Sequence, residues 1–149
     1  MVRSSRIAFA LVQAPQLDGL AAQWGETAAR HFHVDDGFMV SATSGARSVG
    51  LISARWRQLP PPLAATKELY IDFLEVLQDF RRRGIASQLV GMAVEKARRE
   101  QAYQVRAWSS TDKLEAIPMW KELGFGLCPA TTYPGGKEVK GFFVTLLLN

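Results

Sequence analysis

The chain has 149 residues, 48% of them hydrophobic and 21% charged, with a formal net charge of +4. That size and balance suit one folded domain and argue against a disordered chain, and no apolar run reaches the roughly 18 residues that a membrane-spanning helix needs. The single cysteine, Cys128, cannot close a disulfide within the chain, so nothing points to an oxidising compartment and a cytoplasmic protein is expected.

In chain order, Met1 to Gln13 is apolar only from Ile7 to Val12 and has no small-residue cleavage site after a long apolar stretch, so no signal peptide is read. Arg6 to Val12 reads as a first strand. Apolar residues at Leu17, Leu20, Ala21, Trp24 and Ala28 recur at helical spacing, which predicts one amphipathic helix or two short ones between Pro15 and His31. Gly37 to Ala42 and Ser48 to Trp56 read as strands of a hairpin turned by Thr43-Ser44-Gly45-Ala46. Leu59-Pro60-Pro61-Pro62 cannot donate the hydrogen bonds of a central strand and reads as a loop. Glu68 to Leu77 is a long apolar and aromatic strand in which the carboxylates Asp72 and Glu75 are the anomaly. A helix follows from about Arg82 to Gln101, with Ile85, Leu89, Met92, Ala93 and Ala97 on one face. Tyr103 to Trp108 is a further strand, and Leu114 to Leu123 a helix that stops at Gly124. Phe125 to Ala130 and Gly141 to Leu148 close the chain as strands joined through Tyr133-Pro134-Gly135-Gly136. The order β-α-β-β-β-α-β-α-β-β describes an α/β domain with a mixed sheet.

The stretch richest in chemistry is Arg81-Arg82-Arg83-Gly84-Ile85-Ala86, which opens a helix directly after a strand. A helix N-terminus offers unpaired main-chain N–H groups and the positive end of the dipole. Gly84 has no side chain to hold a ligand away from the backbone, and Ala86 is nearly as small. Three arginines add charge suited to phosphate oxygens. A diphosphate fits this description. The Walker pattern is absent, and of the three glycines of a dinucleotide fingerprint only Gly84 is present.

Arg-x-x-Gly-x-Ala between an apolar strand and a helix, with Phe73-Leu74-Glu75-Val76 upstream and Met119-Trp120-Lys121-Glu122-Leu123-Gly124-Phe125 downstream, resembles the signature of the GNAT superfamily of acetyltransferases. The motifs run from about Leu69 to Phe125; elsewhere the likeness lies in element order. The resemblance implies a single α/β GNAT-like domain over residues 1–149, with a mixed central sheet of about six to seven strands flanked by helices. It implies acetyl-CoA as co-substrate, no metal, and N-acetyltransferase activity in which the acetyl group passes directly to a primary amine within a ternary complex. By the same resemblance coenzyme A lies where the strands ending at Leu77 and starting near Tyr103 splay. Its pantetheine pairs with the backbone of Leu74, Glu75 and Val76 like an added strand. Arg81, Arg82, Arg83, Gly84, Ile85, Ala86 and Ser87 take the pyrophosphate, Lys113 and Trp120 fall at further cofactor positions, and the Val76 N–H faces the developing oxyanion.

A lysine-like amine has a pKa of about 10.4, so transfer needs a group that accepts its proton. Asp72 and Glu75 are the candidate general bases. Three apart, they face opposite sides of a regular strand, although a bulge would change this. Asp72, which shares parity with Leu74 and Val76, stands slightly ahead.

The chain departs from the family pattern at Gln78, where a Pro is usual, at Lys113, where an Asn is common, and at Trp120, in place of the Tyr that serves as general acid. An indole N–H only donates hydrogen bonds, so water, Ser109, Ser110 or Tyr133 would have to substitute, or the thiolate leaves unaided. A catalytically impaired acyl-CoA-binding module of the same fold is therefore the second reading. His31 and His33, two apart after the first helix, have poor spacing for a metal on a helix and read as surface or acceptor-pocket residues rather than metal ligands. Cys128 reads as a buried strand residue. The acceptor, a small molecule or a peptide or protein amine, would sit among the His31 to Gly37, Pro60 to Thr66 and Tyr133 to Lys140 loops. A nucleic-acid partner is not expected, because no aromatics interleave the arginines, and no membrane partner is expected either. The apolar Phe142 to Leu148 strand leaves a homodimer open through edge pairing.

Overall fold

The computed structural model describes residues 6–148; the first five residues, which the leader reading includes, and Asn149, the last of the domain expected over 1–149, lie outside the described residues. Seven strands form one mixed sheet in the order β1-β2-β3-β4-β5-β7-β6. Two compact units divide the chain, Met1–Arg55 with Asp72–Ala93 and Trp56–Ile71 with Val94–Asn149. Strands β3 (Arg47–Gln58) and β4 (Lys67–Val76) and helix α3 (Ile85–Arg99) each contribute residues to both.

In the first unit β1 (Ile7–Leu11) pairs antiparallel with β2 (Gly37–Ser44), from Ile7↔Ser44 to Leu11↔Val40. β2 turns into β3 with Ser44 opposite Arg47, so the expected turn is present. Gly45 there has φ 62, a left-handed value that glycine adopts without the Cβ penalty. The helix expected between Pro15 and His31 is two, α1 (Leu17–Trp24) and α2 (Glu26–Ala29). They separate at Gly25, whose φ of 102 lies outside any helix. The core centres on Val12, Met39 and Leu51, against which Leu17, Leu20, Trp24, Phe32, Val34 and Phe73 pack. Ile85, Leu89, Val90 and Ala93 give α3 a buried stripe. The first turns of that helix come so close to β3 that a Cβ on Gly50 would lie 2.9 Å from Ile85 Cγ2 and 3.3 Å from Leu89 Cδ1.

In the second unit the start of β4 pairs parallel with β5 (Gln104–Ser110), from Glu68↔Gln104 to Ile71↔Ala107. β7 (Val139–Leu147) lies antiparallel between β5 and β6 (Gly126–Thr132). Both flanks of β7 are thus occupied, which corrects the expectation that Phe142 to Leu148 offers a free edge; β6 is the terminal strand. Cys128 is exposed, not buried, because every residue of that terminal strand is half-buried or exposed.

Two helix starts also differ from the sequence reading. Arg82 is not helical, having φ 63, and α3 begins only at Ile85. The Leu114 to Leu123 segment is α-helical only as α4 (Ile117–Glu122), after a 3-10 stretch Thr111–Ala116 that kinks at Lys113. Gly124 ends α4 as expected, with φ 90. The Gly124 N–H donates to Lys121 O at 3.0 Å and the Phe125 N–H to Trp120 O at 3.0 Å, satisfying carbonyls the helix leaves open. The Trp120 and Phe125 rings meet edge-on at 4.9 Å, the hydrophobic contact that accompanies such a cap.

Candidate active site

After β4 the chain makes a 3-10 turn at Gln78–Phe80 and an irregular step through Arg81, Arg82 and Arg83 before α3 starts. The Leu77 N–H donates to Val49 O at 2.8 Å. Successive N–H groups alternate sides along a strand, so the Val76 N–H is directed away from β3. Its carbonyl, on that same side, accepts from Arg81 Nε at 2.9 Å. Arg81 Nη2 also lies 3.8 Å from Glu75 Oε2, and the Arg83 guanidinium sits 5.0 Å from the centre of the Phe80 ring. All three arginines are exposed, and Arg81 and Arg83 are tied back to their own segment.

Gly84 has φ 76, and a Cβ built on it would meet nothing within 4 Å, so the space in front of the helix start is open. The Gly84 carbonyl accepts the first helical bond, from the Gln88 N–H at 3.0 Å. The N–H groups of Ile85, Ala86 and Ser87 form the first turn, which carries no acidic side chain. Donors, positive dipole, open space and neighbouring arginines together suit a diphosphate.

The second feature is a group of side chains around Asp72. Phe32 and Val34 pack into the core, and Phe73 meets Trp24 and Phe32 edge-on at 6.0 and 6.1 Å. With those aromatic and aliphatic groups inward, the alternate residues His31, His33 and Asp72 come together. His33 Nε2 lies 2.8 Å from Asp72 Oδ2, and His31 Nδ1 lies 3.2 Å from the same oxygen. The other ring nitrogen of His33, Nδ1, lies 2.9 Å from Asp36 Oδ1. The main chain of His33 is held separately, its N–H donating to the buried Ser53 Oγ at 3.0 Å. Asp72 is 20% exposed and His33 12%, whereas Asp36 is 60% exposed. Both imidazoles close directly on Oδ2, and among the described residues no three His, Cys, Asp or Glu side chains are grouped to hold a metal ion.

The residues singled out from the sequence therefore divide. Asp72, Leu74, Glu75, Val76 and the loop Arg81 to Ser87 all belong to the first unit, on β4 and the step into α3. Lys113 and Trp120 belong to the second unit; Lys113 is exposed and Trp120 is buried on Phe125. His31 and His33, read from the sequence as surface or acceptor-pocket residues, are the immediate neighbours of Asp72, and Asp36 meets the other side of the His33 ring. The contact itself is hidden by distance along the chain, since His33 and Asp72 stand 39 positions apart.

The model of the acetyltransferase (GNAT) family matches residues 7–125. The chain belongs to that family. An uncharacterized N-acetyltransferase of Methanocaldococcus jannaschii is 30% identical over 95 residues, which are 61% of this chain and 39% of that protein, so the chain spans about two-fifths of this curated relative. Among solved structures, NAA60 of Arabidopsis thaliana in complex with acetyl-CoA superposes with a TM-score of 0.80 at 14% identity, covering 96% of this chain and 100% of that one. The ribosomal-protein-S18-alanine N-acetyltransferase of Escherichia coli gives a TM-score of 0.74 at 13% identity, covering 97% and 95%. At such identities the likeness establishes the GNAT fold. Among the described residues no helix is long and apolar enough to cross a membrane.

Proposed function

We propose that the chain is an acetyl-CoA-dependent N-acetyltransferase that passes the acetyl group directly to a primary amine. Family membership supports it, and relatives named as N-acetyltransferases support the amine acceptor. The observation that carries it is the open, left-handed Gly84 at the head of a helix whose first turn has no carboxylate. The N–H groups from Arg82 to Ser87 would hold the pyrophosphate, with the side chains of Arg81, Arg82 and Arg83 as counter-charges. The backbone of Leu74, Glu75 and Val76 would hold the pantetheine arm. Acetyl-CoA supplies the thioester acetyl group. The Val76 N–H, directed away from β3, is the donor for the acetyl oxygen as charge builds there.

Asp72 is the better base of the two carboxylates. Its neighbours are imidazoles, which can exchange protons, whereas Glu75 lies beside the Arg81 guanidinium, which cannot. Trp120 stands where the family's Tyr acts, and its buried indole has no proton to give. A thiol has a pKa of about 8.5, so the leaving thiolate needs little assistance. That same residue favours, as the second reading, a module that binds acetyl-CoA without turning it over.

Calorimetric titration with acetyl-CoA and a thiol-release assay over a panel of amines test both readings. Wild type should bind and turn over, and Gly84→Glu should lose binding through bulk and charge at the helix start. Binding unchanged in Gly84→Glu would remove the loop from the site. Binding by wild type with no turnover on any amine would leave the module.

A further inference from the structure

His33 is placed between two carboxylates, with Nε2 at 2.8 Å from Asp72 and Nδ1 at 2.9 Å from Asp36. A neutral imidazole has one N–H donor and one lone pair. Between two ionised carboxylates it would satisfy one and point its lone pair at the other. Both short contacts become favourable only when the trio Asp36, His33 and Asp72 holds one additional proton. Exposure then sets a direction: Asp72 and His33 are largely buried, and Asp36 opens to solvent at 60%.

We propose that this trio is a proton relay leading from the acceptor amine to water, with His33 as its central link and Asp36 as its outlet. The proposal rests on the reading of Asp72 as the base that meets the amine. Loss of the stored proton from Nδ1 through Asp36 leaves the ring with Nε2–H, and tautomer exchange with water then moves that proton to Nδ1, so that Nδ1–H sits on Asp36 and the Nε2 lone pair faces Asp72. An ammonium then loses its proton to the Asp72 carboxylate: the substrate N–H breaks and an O–H forms. That O–H breaks as Nε2 takes the proton, giving an imidazolium, and Nδ1 passes its own proton to Asp36 and on to solvent. The amine is left neutral for acetyl transfer, and no oxidant or further reactant is involved. His33 and Asp36 act through Asp72 and are positioning residues, not catalytic ones.

The titratable groups facing this imidazole are Asp36 from its own loop, Asp72 from β4 and, across the shared Oδ2, His31. Ser53 from β3 reaches only the main-chain N–H. His31 meets one carboxylate rather than two and is 46% exposed, so it makes an internal control.

Two measurements on the full chain decide the matter. In histidine labelled with nitrogen-15, His33 should show protons on both ring nitrogens at a pH where His31 shows one, and Asp36→Asn should reduce His33 to one. A single protonated nitrogen on His33 in wild type would overturn the proposal. In the thiol-release assay with acetyl-CoA and the best amine of the panel, His33→Ala should lower kcat about 10²-fold, the low end for a positioned acid–base group. Its KM for acetyl-CoA should hold, and added free imidazole should restore part of kcat. Asp36→Asn, at an exposed position that folding tolerates, should lower kcat in the same direction, and Asp36→Glu should recover it. Wild-type kcat in Asp36→Asn, or no rescue of a folded His33→Ala by imidazole, would also overturn the relay. Lack of turnover by wild type would count against acetyl transfer alone, since the nitrogen spectra judge the shared proton without it.

Discussion

Of the three carboxylates on strand β4, Glu68 and Asp72 stand four residues apart in surroundings that differ in kind. Glu68 is 1% exposed, with Oε1 at 2.8 Å from Arg106 Nη2 and 2.9 Å from its Nε, and Gln104 Nε2 at 3.3 Å from Oε2. Arg106 in turn lies 4.9 Å from the centre of the Tyr70 ring and 4.8 Å from that of Phe143. A guanidinium never gives up its proton in a protein, so this pair is a fixed charge couple that ties β4 to β5. Asp72 is partly open and meets two imidazoles, the side chains that most readily change charge near neutral pH. One carboxylate is locked by a permanent cation; the other is set among groups that can take and release protons. Exposure and the chemistry of the partner, more than position on the strand, separate structural from reactive acids here.

The comparison is tested most severely at Glu68. Glu68→Ala leaves Arg106 without its counter-charge and should cost about 3–5 kcal/mol, the range for breaking a buried pair, seen as a lower urea midpoint; a change near zero would mean that the couple is dispensable. Asp72→Asn should do the reverse. Turnover should fall about 10²-fold or more for loss of a general base, while the unfolding midpoint shifts by no more than about 1 kcal/mol equivalent. Loss of folding without a specific loss of turnover would make Asp72 a structural acid like Glu68. The smallest effect is expected at Glu75, whose side chain is 35% exposed beside Arg81. Glu75→Gln should change stability by about 0.5 kcal/mol or less and leave kcat near wild type. A large kcat loss there would transfer the role of base from Asp72 to Glu75.

Much of the fold was legible because the periodicities are clean. Ile85, Leu89, Ala93 and Ala97 mark one side of α3, and Gly45 and Gly124 mark a turn and a helix end that need positive φ. The boundary at Arg82 was not legible: arginine is a good helix former, and nothing local announces a left-handed arginine. Cys128 misled because apolar character in a strand usually means burial, but β6 is the last strand of the sheet. The loop Arg81 to Ser87 was found from sequence because its chemistry lies in consecutive residues. The histidines were read only as surface or acceptor-pocket residues, since their further meaning comes from Asp72, Asp36 and Ser53, and two of those three lie on the distant strands β4 and β3. The alternation His31-Phe32-His33-Val34 was the available hint: packing Phe32 and Val34 into the core turns both imidazoles to the opposite side, toward Asp72.

The exposed position of Cys128 limits what air oxidation can do to a preparation. Each chain contributes one thiol. Disulfide formation between molecules therefore stops at pairs, giving a single slower band on a non-reducing gel instead of a ladder, and a maleimide dye attaches with one-to-one stoichiometry.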